Sequence, residues 1–279
     1  MPILCCRVFR SAARPSERTW ARLVAAVLLG GLAATTVCAA AERKSPSPTC
    51  SLQTFVAGTV QSVVDGRSFV LADGREVRLD GIEVPAEPDA LAALVLGREV
   101  VLKHAKDVTD RYGRSLADAF VPDDATAAPR SVTKSLLAQG LAQVSARPGG
   151  AVCVAELRPA EAAARAAKLG LWGDPRYFPK QADDVTGIAA ERGRFTLVEG
   201  KVVSVRESGG TIFVNFGRRW NEDFTVTILK RHERQFSAAG MEPRTLAGRR
   251  VMVRGWIEER GGPWIEAAGP EQIEIIAEK

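Results

Sequence analysis

Short β-branched segments, each followed by a turn signal, dominate this sequence and limit the folds that it can adopt. The first set comprises FVAGTVQSVV, SFVL, EVRLDGIEV, REVVLKH and RSLADAFV. Asp73-Gly74 favours a tight turn between the second and third of these strands. Glycine-terminated helical segments lie between and after them: DALAALVLG, SVTKSLLAQG and ELRPAEAAARAAKLG. Five short strands surrounded by helices predict a small barrel.

A second set of strands begins at Phe195. Its segments are FTLVEGKVVSV, TIFVNF, DFTVTI, a helical KRHERQFSAAG, RRVMVRGWIEE and PWIEAAGPEQIEII. Three strands, a helix and two strands is the order of an OB-fold, a five-stranded barrel that often binds oligonucleotides, and the first set has the same order. The sequence therefore predicts a mainly β protein of the α+β class. We expect an OB-fold barrel with helices in residues 52–177, a linker at 178–193 and a smaller OB-like barrel in residues 194–279.

Residues 1–40 have the pattern of an export signal rather than of a globular segment. The apolar run Leu23–Val37 has 15 residues, fewer than the roughly 20 that a membrane-spanning helix needs. We therefore expect cleavage near Ala40 or Ala41, export to the periplasm or the outside, and no membrane span in the mature chain. Lipidation at Cys38 is a weaker alternative. The run is preceded by five arginines: Arg7, Arg10, Arg14, Arg18 and Arg22.

Removing this signal changes the charge of the protein. The full chain has 38 basic and 33 acidic residues, a net charge of +5. Residues 41–279 keep 33 basic and 32 acidic residues, so the mature chain has a net charge of +1. Overall basicity therefore gives no argument for nucleic-acid binding, which has to be argued from individual residues.

Two cysteines, Cys50 and Cys153, remain in the expected mature chain. An even number of cysteines in an exported protein predicts a disulfide bond. The loop that it closes spans 103 residues, for which the chain-entropy model gives a stabilisation of about 4 to 5 kcal/mol. Two buried free thiols are the alternative.

Five stretches occur in a characteristic order between Val56 and Tyr177: TVQSVVDGRSFVL, VRLDGIEVPAE, TDRYGRSLADAFV, LLAQGLAQV and AAARAAKLGLW. Together they resemble the staphylococcal-nuclease-like, or thermonuclease, family of secreted phosphodiesterases. This resemblance implies an OB-fold barrel that holds a calcium ion through acidic side chains, with a glutamate as base toward water. It also implies two arginines that grip the phosphate, for which a planar guanidinium is well suited.

The resemblance assigns the two phosphate-gripping positions to Arg78, in VRL, and Arg114, in DRYGR. Both cations that the family uses are thus present. The alternative is that these arginines are structural and pair with nearby acids. The acids considered are Asp80, Asp110 and Asp118.

The acidic positions of the family are only partly kept. Asp65 is in place, but Arg67 stands where the resemblance implies an acidic calcium ligand. Glu83 replaces an aspartate ligand and has a longer side chain. Ala86 occupies the position of the general base, and Glu87 is the nearest residue that could take over that role. Because calcium binds through several oxygens, we expect any calcium affinity to be low.

Strand alternation adds a geometric condition. It places Arg78 and Asp80 on one face and Glu83 on the other. Convergence of these side chains therefore requires a bulge or twist, for which Gly81 is the natural position.

In the second barrel, Arg218, Arg219 and Trp220 lie close to phenylalanines in NFGRRWNEDF. Basic residues interleaved with aromatic residues suit single-stranded nucleic acid, since they neutralise the backbone and stack on bases. The alternative is that Glu222 and Asp223 neutralise both arginines.

These features support three hypotheses. The first is a secreted thermonuclease-like endonuclease that hydrolyses DNA or RNA at a divergent site. The second is a nucleic-acid or phosphate-ligand binding module that has lost the calcium site and the base. The third is an envelope protein that uses its barrels for protein contacts. P-loop, nucleophile-elbow and dinucleotide glycine motifs are absent from the sequence, and it gives no signal for an oligomeric state.

Overall fold

The computed structural model describes residues 50–85, 87–106, 109–122, 128–145, 150, 152–219 and 221–276. The expected export signal lies outside these residues. All the described residues fall within one compact unit. Within these ranges, no helix combines the length and apolar character needed to cross a bilayer.

The first barrel is built from residues that precede Gly170. Its strands are β1 (Gln53–Asp65), β2 (Ser68–Leu71), β3 (Glu76–Leu79), β4 (Ile82–Glu83), β5 (Glu99–His104), β6 (Ser115–Val121), β7 (Arg130–Ser131) and β8 (Gln143–Val144). Its helices are α1 (Asp89–Val95), α2 (Val132–Ala138) and α3 (Val154–Ala166).

Five of these strands close into a barrel. The long strand β1 pairs antiparallel with both β2 and β5, and β2 pairs with β3. The barrel closes because β3 runs parallel to β6, which pairs antiparallel with β5. This order, β1-β2-β3-β6-β5, is that of an OB-fold, and it confirms the predicted fold class. The interior is apolar, with Phe69, Leu71, Val77, Leu79 and Leu102 at most 1% exposed.

Two helix starts differ in how they are capped. Ser131 caps α2, because its hydroxyl accepts a hydrogen bond of 3.0 Å from the backbone N–H of Lys134. Asp89 is the first residue of α1 and makes no capping bond, and Pro88 occupies the N-cap position instead. Asp89 therefore does not cap α1, although its charge suits the first turn.

The second set of elements follows Tyr177. Its strands are β9 (Lys180–Gln181), β10 (Phe195–Lys201), β11 (Ser204–Ser208), β12 (Thr211–Asn215), β13 (Thr225–Leu229), β14 (Arg250–Trp256), β15 (Glu258–Arg260), β16 (Gly262–Glu266) and β17 (Ile273–Ile275). Its helices are α4 (Val185–Ala189) and α5 (Lys230–Ala238). Short 3-10 helices occupy Gly170–Gly173, Pro175–Tyr177, Pro243–Leu246 and Pro270–Gln272.

These strands form two sheets, β9-β10-β14-β17 and β11-β12-β13-β16-β15, whose pairing partly resembles that of the first barrel. The segment FTLVEGKVVSV forms β10 and then β11, which pair with β14 and β12 respectively. Strand β12 pairs with β13, and β13 runs parallel to β16. The parallel pairing of β13 with β16 corresponds to that of β3 with β6 and gives the second set an OB-like arrangement.

Residues 178–193, expected as a linker, include β9 and α4. Strand β9 pairs parallel with β10, so this segment contributes to the sheet of the second barrel.

The two barrels share a buried contact. A small apolar cluster joins α3 and the following turn to β10 and β14, through Ala164, Trp172, Leu197 and Met252. Beside it, Arg254 of β14 and Glu161 of α3 form an ion pair with Nη1 and Oε2 2.9 Å apart. These residues are 1% and 2% exposed, and Arg254 also donates to the carbonyl of Val144 at 2.9 Å.

The predicted disulfide is present. Cys50, which precedes β1, is bonded to Cys153, the N-cap residue of α3, and their Cα atoms are 5.7 Å apart.

Candidate functional site

Three arginines approach one another where β2, β3 and β6 meet. Arg67 lies in the turn between β1 and β2, Arg78 lies on β3, and Arg114 immediately precedes β6. Burial lowers the pKa of Arg78, and the positive charges of Arg67 and Arg114 lower it further. Arg67 and Arg114 thus lie close enough to Arg78 for their charges to act on it. These three residues are called the arginine cluster below.

Arg78 is held by residues of the neighbouring turn and strand. Its Nη1 is 3.4 Å from Oδ2 of Asp65 and 3.2 Å from the hydroxyl oxygen of Ser68. Ser68 lies directly opposite Arg78 in the pairing of β2 with β3. The contact of Ser68 with Arg78 was not predicted from the sequence. The register of the β2–β3 hairpin is the signal that could have indicated it.

Arg114 is fixed by Asp110, four residues earlier. Its Nε and Nη2 lie 2.7 and 2.6 Å from Oδ2 of Asp110, and Nη1 lies 3.7 Å from Oε1 of Glu76. Burial opposes ionisation of Asp110, but hydrogen bonds from Arg114 and from the Tyr112 backbone outweigh it and lower the pKa of Asp110. Arg114 therefore pairs with an acid and also belongs to the cluster. The ring of Tyr112 is exposed and lies 5.2 Å from the Arg114 guanidinium carbon.

Arg67 occupies the position of an expected calcium ligand and makes a close ion pair there. Its Nη2 is 2.5 Å from Oε2 of Glu83, and both side chains are largely buried. Its Nη1 donates to the carbonyl of Ile82, and its backbone N–H donates to Oδ1 of Asp65 at 2.8 Å. The two expected metal ligands, Asp65 and Glu83, are each bound to a cationic side chain.

These residues do not fit a calcium site. Calcium takes six to eight oxygen ligands, whereas here a guanidinium contacts the Glu83 carboxylate. Among the residues that the structure describes, no three His, Cys, Asp or Glu side chains form a metal-binding group. A bound calcium ion would first have to displace Arg67.

Gly81 makes the turn that carries Glu83 toward Arg67. It has a φ of +78°, and a Cβ at this position would lie 2.5 Å from Cγ2 of Val152. The chain turns at Gly81, between β3 and β4, so the strand alternation is interrupted there. This is the position at which the sequence predicts a bulge or twist.

The base position is only partly described. Ala86 lies outside the described residues. Glu87, the expected displaced base, is exposed between β4 and α1.

The expected contact site in the second barrel has mixed character. Arg218 and Arg219 are exposed, but Arg219 pairs with Glu222 at 2.7 Å and its backbone N–H donates to Asp223 at 2.7 Å. Trp220 lies outside the described residues. Nucleic-acid contact at this position stays a prediction.

Comparison with known proteins gives one family match. Residues 86–174 match the family model described as "Staphylococcal nuclease homologue", a range that contains Arg114 but not Arg67, Arg78 or Glu83. No curated protein matches the chain. A domain of this family indicates a nuclease or nucleic-acid-binding function. Residues 86–174 are thus similar to this family, and the closed barrel is consistent with an OB-fold domain of that kind.

Proposed function

We propose that the N-terminal barrel binds the phosphodiester backbone of nucleic acid without a metal ion and does not hydrolyse it. The observation that carries this proposal is the 2.5 Å ion pair between Arg67 and Glu83. A guanidinium bound to Glu83 supplies positive charge where related nucleases are expected to place a calcium ion.

The arginine cluster is suited to an anion. Burial lowers the pKa of Arg78, and the positive charges of Arg67 and Arg114 lower it further, so an incoming phosphate relieves repulsion that is already present. A guanidinium can also give two parallel hydrogen bonds to phosphate oxygens. Asp65, Asp110 and Glu83 hold the three side chains in place and formally balance their charge, so a phosphate has to compete with these carboxylates for the guanidinium groups.

Hydrolysis by Glu87 as a displaced base is the competing hypothesis, and the match to a nuclease family is the observation in its favour. It requires a positioned base and a cation against the developing charge. Glu87 is exposed, and Glu83 is bound to Arg67. We therefore favour binding.

We further propose that residues 1–40 are removed as a signal and that the mature protein is exported. The Cys50–Cys153 disulfide supports this, because such bonds persist in oxidising compartments. We also propose that the mature chain divides into residues 52–177, 178–193 and 194–279. Strand β9 of the middle segment adds to the sheet of the last one.

The test is to measure binding of DNA and RNA oligonucleotides by fluorescence anisotropy, in calcium and in chelator. We expect equal affinities in both conditions and a decrease with added salt. Arg78→Ala and Arg114→Ala should each weaken binding by roughly 10- to 100-fold, since hydrogen bonds to charged groups contribute about 1.5–3 kcal/mol. Arg192→Ala removes an exposed arginine outside the cluster and should leave affinity unchanged.

Two results would contradict the proposal. One is cleavage of the oligonucleotide by the wild-type protein; its loss in Glu87→Gln would identify Glu87 as the base. The other is absence of oligonucleotide binding by the wild-type protein at low salt.

Arg67→Asp tests the role of Arg67 directly. Replacing the cation by a carboxylate beside Glu83 should weaken oligonucleotide binding at least about tenfold in chelator and introduce a dependence on calcium, since the site then offers oxygen ligands. Titration with calcium, followed by calorimetry, measures the second effect. Arg67→Ala is the matched control, because it removes the cation without adding oxygens.

A further inference from the structure

A cleft of about 330 Å³ lies between the two barrels. Resting on the function proposed above, we propose that this cleft receives unstacked bases of a single-stranded nucleic acid whose backbone lies on the arginine cluster. The second barrel thereby becomes part of the binding site and selects single strands over duplexes.

The cleft adjoins the arginine cluster through one residue, Glu83, which lines the cleft and pairs with Arg67. One wall is formed by Glu83, Pro85 and Gln143 of the first barrel. Glu83 also forms the ion pair with Arg67, so it is the residue that the cleft and the cluster have in common. Gln143 pairs with Glu83 across β4 and β8, which fixes this wall in the fold.

The cleft is also lined by aromatic side chains, called the aromatic wall below. Tyr177 and Phe178 follow the first barrel, and Trp256 ends β14 of the second. Phe178 and Trp256 are 41% and 46% exposed, a large fraction for side chains of their size. Phe195 meets Trp256 edge to face at 6.2 Å and helps to orient the indole. Exposed aromatic faces next to a phosphate-binding surface are typical of single-strand recognition.

The charges around the cleft are compatible with a nucleic acid. Its two acids, Glu83 and Glu191, each pair with a cation: Glu83 with Arg67, and Glu191 with Lys180 at 3.0 Å. Arg176 and Arg194 add exposed guanidinium groups to its lining, where Arg176 pairs with Asp174 at 2.6 Å and Arg194 with Glu191 at 3.6 Å. The base-stacking wall therefore has cations beside it that can neutralise backbone phosphates.

A duplex cannot use this wall, because its bases are already stacked and present only their edges in the grooves. A single strand can turn its bases outward and stack them on aromatic side chains. The arrangement therefore predicts a preference for single strands that depends on the aromatic wall and not on the arginine cluster.

The experiment compares three probes of equal length with the whole protein: a single-stranded thymine oligonucleotide, an abasic oligonucleotide with the same phosphates, and a duplex. We expect the thymine strand to bind most tightly. Trp256→Ala should weaken its binding at least about fivefold, as loss of one stacked base implies, and leave the abasic strand unaffected. Phe178→Ala is a second variant with the same expectation. Leu96→Ala, an exposed apolar residue outside the cleft, is the control and should change nothing.

The outcomes separate this inference from the function on which it rests. If Arg78→Ala weakens binding while Trp256→Ala and Phe178→Ala, both folded by circular dichroism, do not, backbone binding stands and the base-binding cleft is wrong. Equal affinity for the thymine and abasic strands would overturn the cleft in the same way. If none of the three probes binds, the proposed function itself fails.

Discussion

Asp118 lies on β6 with 2% of its surface exposed. Burial raises the pKa of its carboxyl group, while hydrogen bonds from Ser131 and Thr133 oppose that shift. The hydroxyl of Ser131 donates at 2.6 Å and the backbone N–H of Thr133 at 3.3 Å. Asp118 is one of the acids proposed from the sequence as partners of the phosphate-gripping arginines, whereas its described hydrogen bonds connect β6 to the start of α2.

We expect Asp118 to make stability depend on pH. Because its pKa is raised in the folded state, its contribution to the free energy of unfolding is greatest below the unfolded pKa of about 3.9. The contribution is lost as pH rises through the folded pKa. Asp118→Asn should therefore flatten the pH dependence above pH 4, as measured by urea unfolding. Asp73→Asn, at an exposed turn, is the control, and an unchanged slope in Asp118→Asn would contradict the prediction.

At the scale of elements, the β3–β4 turn determines where Glu83 points. Gly81 combines a positive φ with a close approach to two side chains. Val152 precedes α3, and Leu157 lies in it. Its backbone carbonyl also accepts a hydrogen bond of 2.8 Å from Ser145. Contacts with residues in and before α3 therefore restrain this turn, in addition to its own backbone conformation.

Gly81→Ala should destabilise the protein more than Gly74→Ala. Both glycines have positive φ, for which a non-glycine residue costs about 1–2 kcal/mol. A Cβ at Gly74 meets nothing within 4 Å, whereas at Gly81 it overlaps Val152. We expect an additional cost of about 1–3 kcal/mol at Gly81, measured as the free energy of unfolding in urea. Equal effects of the two substitutions would show that the close approach is unimportant.

The order of the longer elements was predictable, because alternation and turn residues encode it locally. The two-residue strands β7, β8 and β9 were not identified, since each exists only through its pairing partner, and β4 was expected as part of one continuous strand, EVRLDGIEV. The arginine cluster was predictable in part. Arg78 and Arg114 follow from motifs, but the bond from Arg67 to Glu83 depends on how a turn and a distant strand end meet.

For the whole molecule, the contact between the barrels is the principal feature that the sequence did not reveal. Glu161 lies in an alanine-rich helix and Arg254 in an apolar strand, so neither belongs to a motif. In the structure they form a buried ion pair next to the apolar cluster around Trp172. The proposed cleft depends on the same contact, because its walls come from both barrels.

Arg254→Ala should weaken this contact strongly. Removing one partner leaves the Glu161 charge buried, which costs about 3–5 kcal/mol of the free energy of unfolding. We expect the second barrel to unfold separately, as two transitions in thermal unfolding. Arg254→Met combined with Glu161→Gln should restore much of the loss, because neither charge is then left alone. Arg192→Ala, which breaks an exposed pair of 2.7 Å with Glu259, should cost less than about 1 kcal/mol. A similar loss of unfolding free energy in Arg254→Ala and Arg192→Ala would contradict a special role for the buried ion pair.

The Cys50–Cys153 bond has a consequence for the timing of folding. Synthesis proceeds from the N-terminus, so the first sulfur emerges 103 residues ahead of the second, and β1 to β8 are made in the interval. During that period the earlier thiol has no native partner to meet. The covalent link therefore closes late, and it secures a barrel whose strands have already been synthesised.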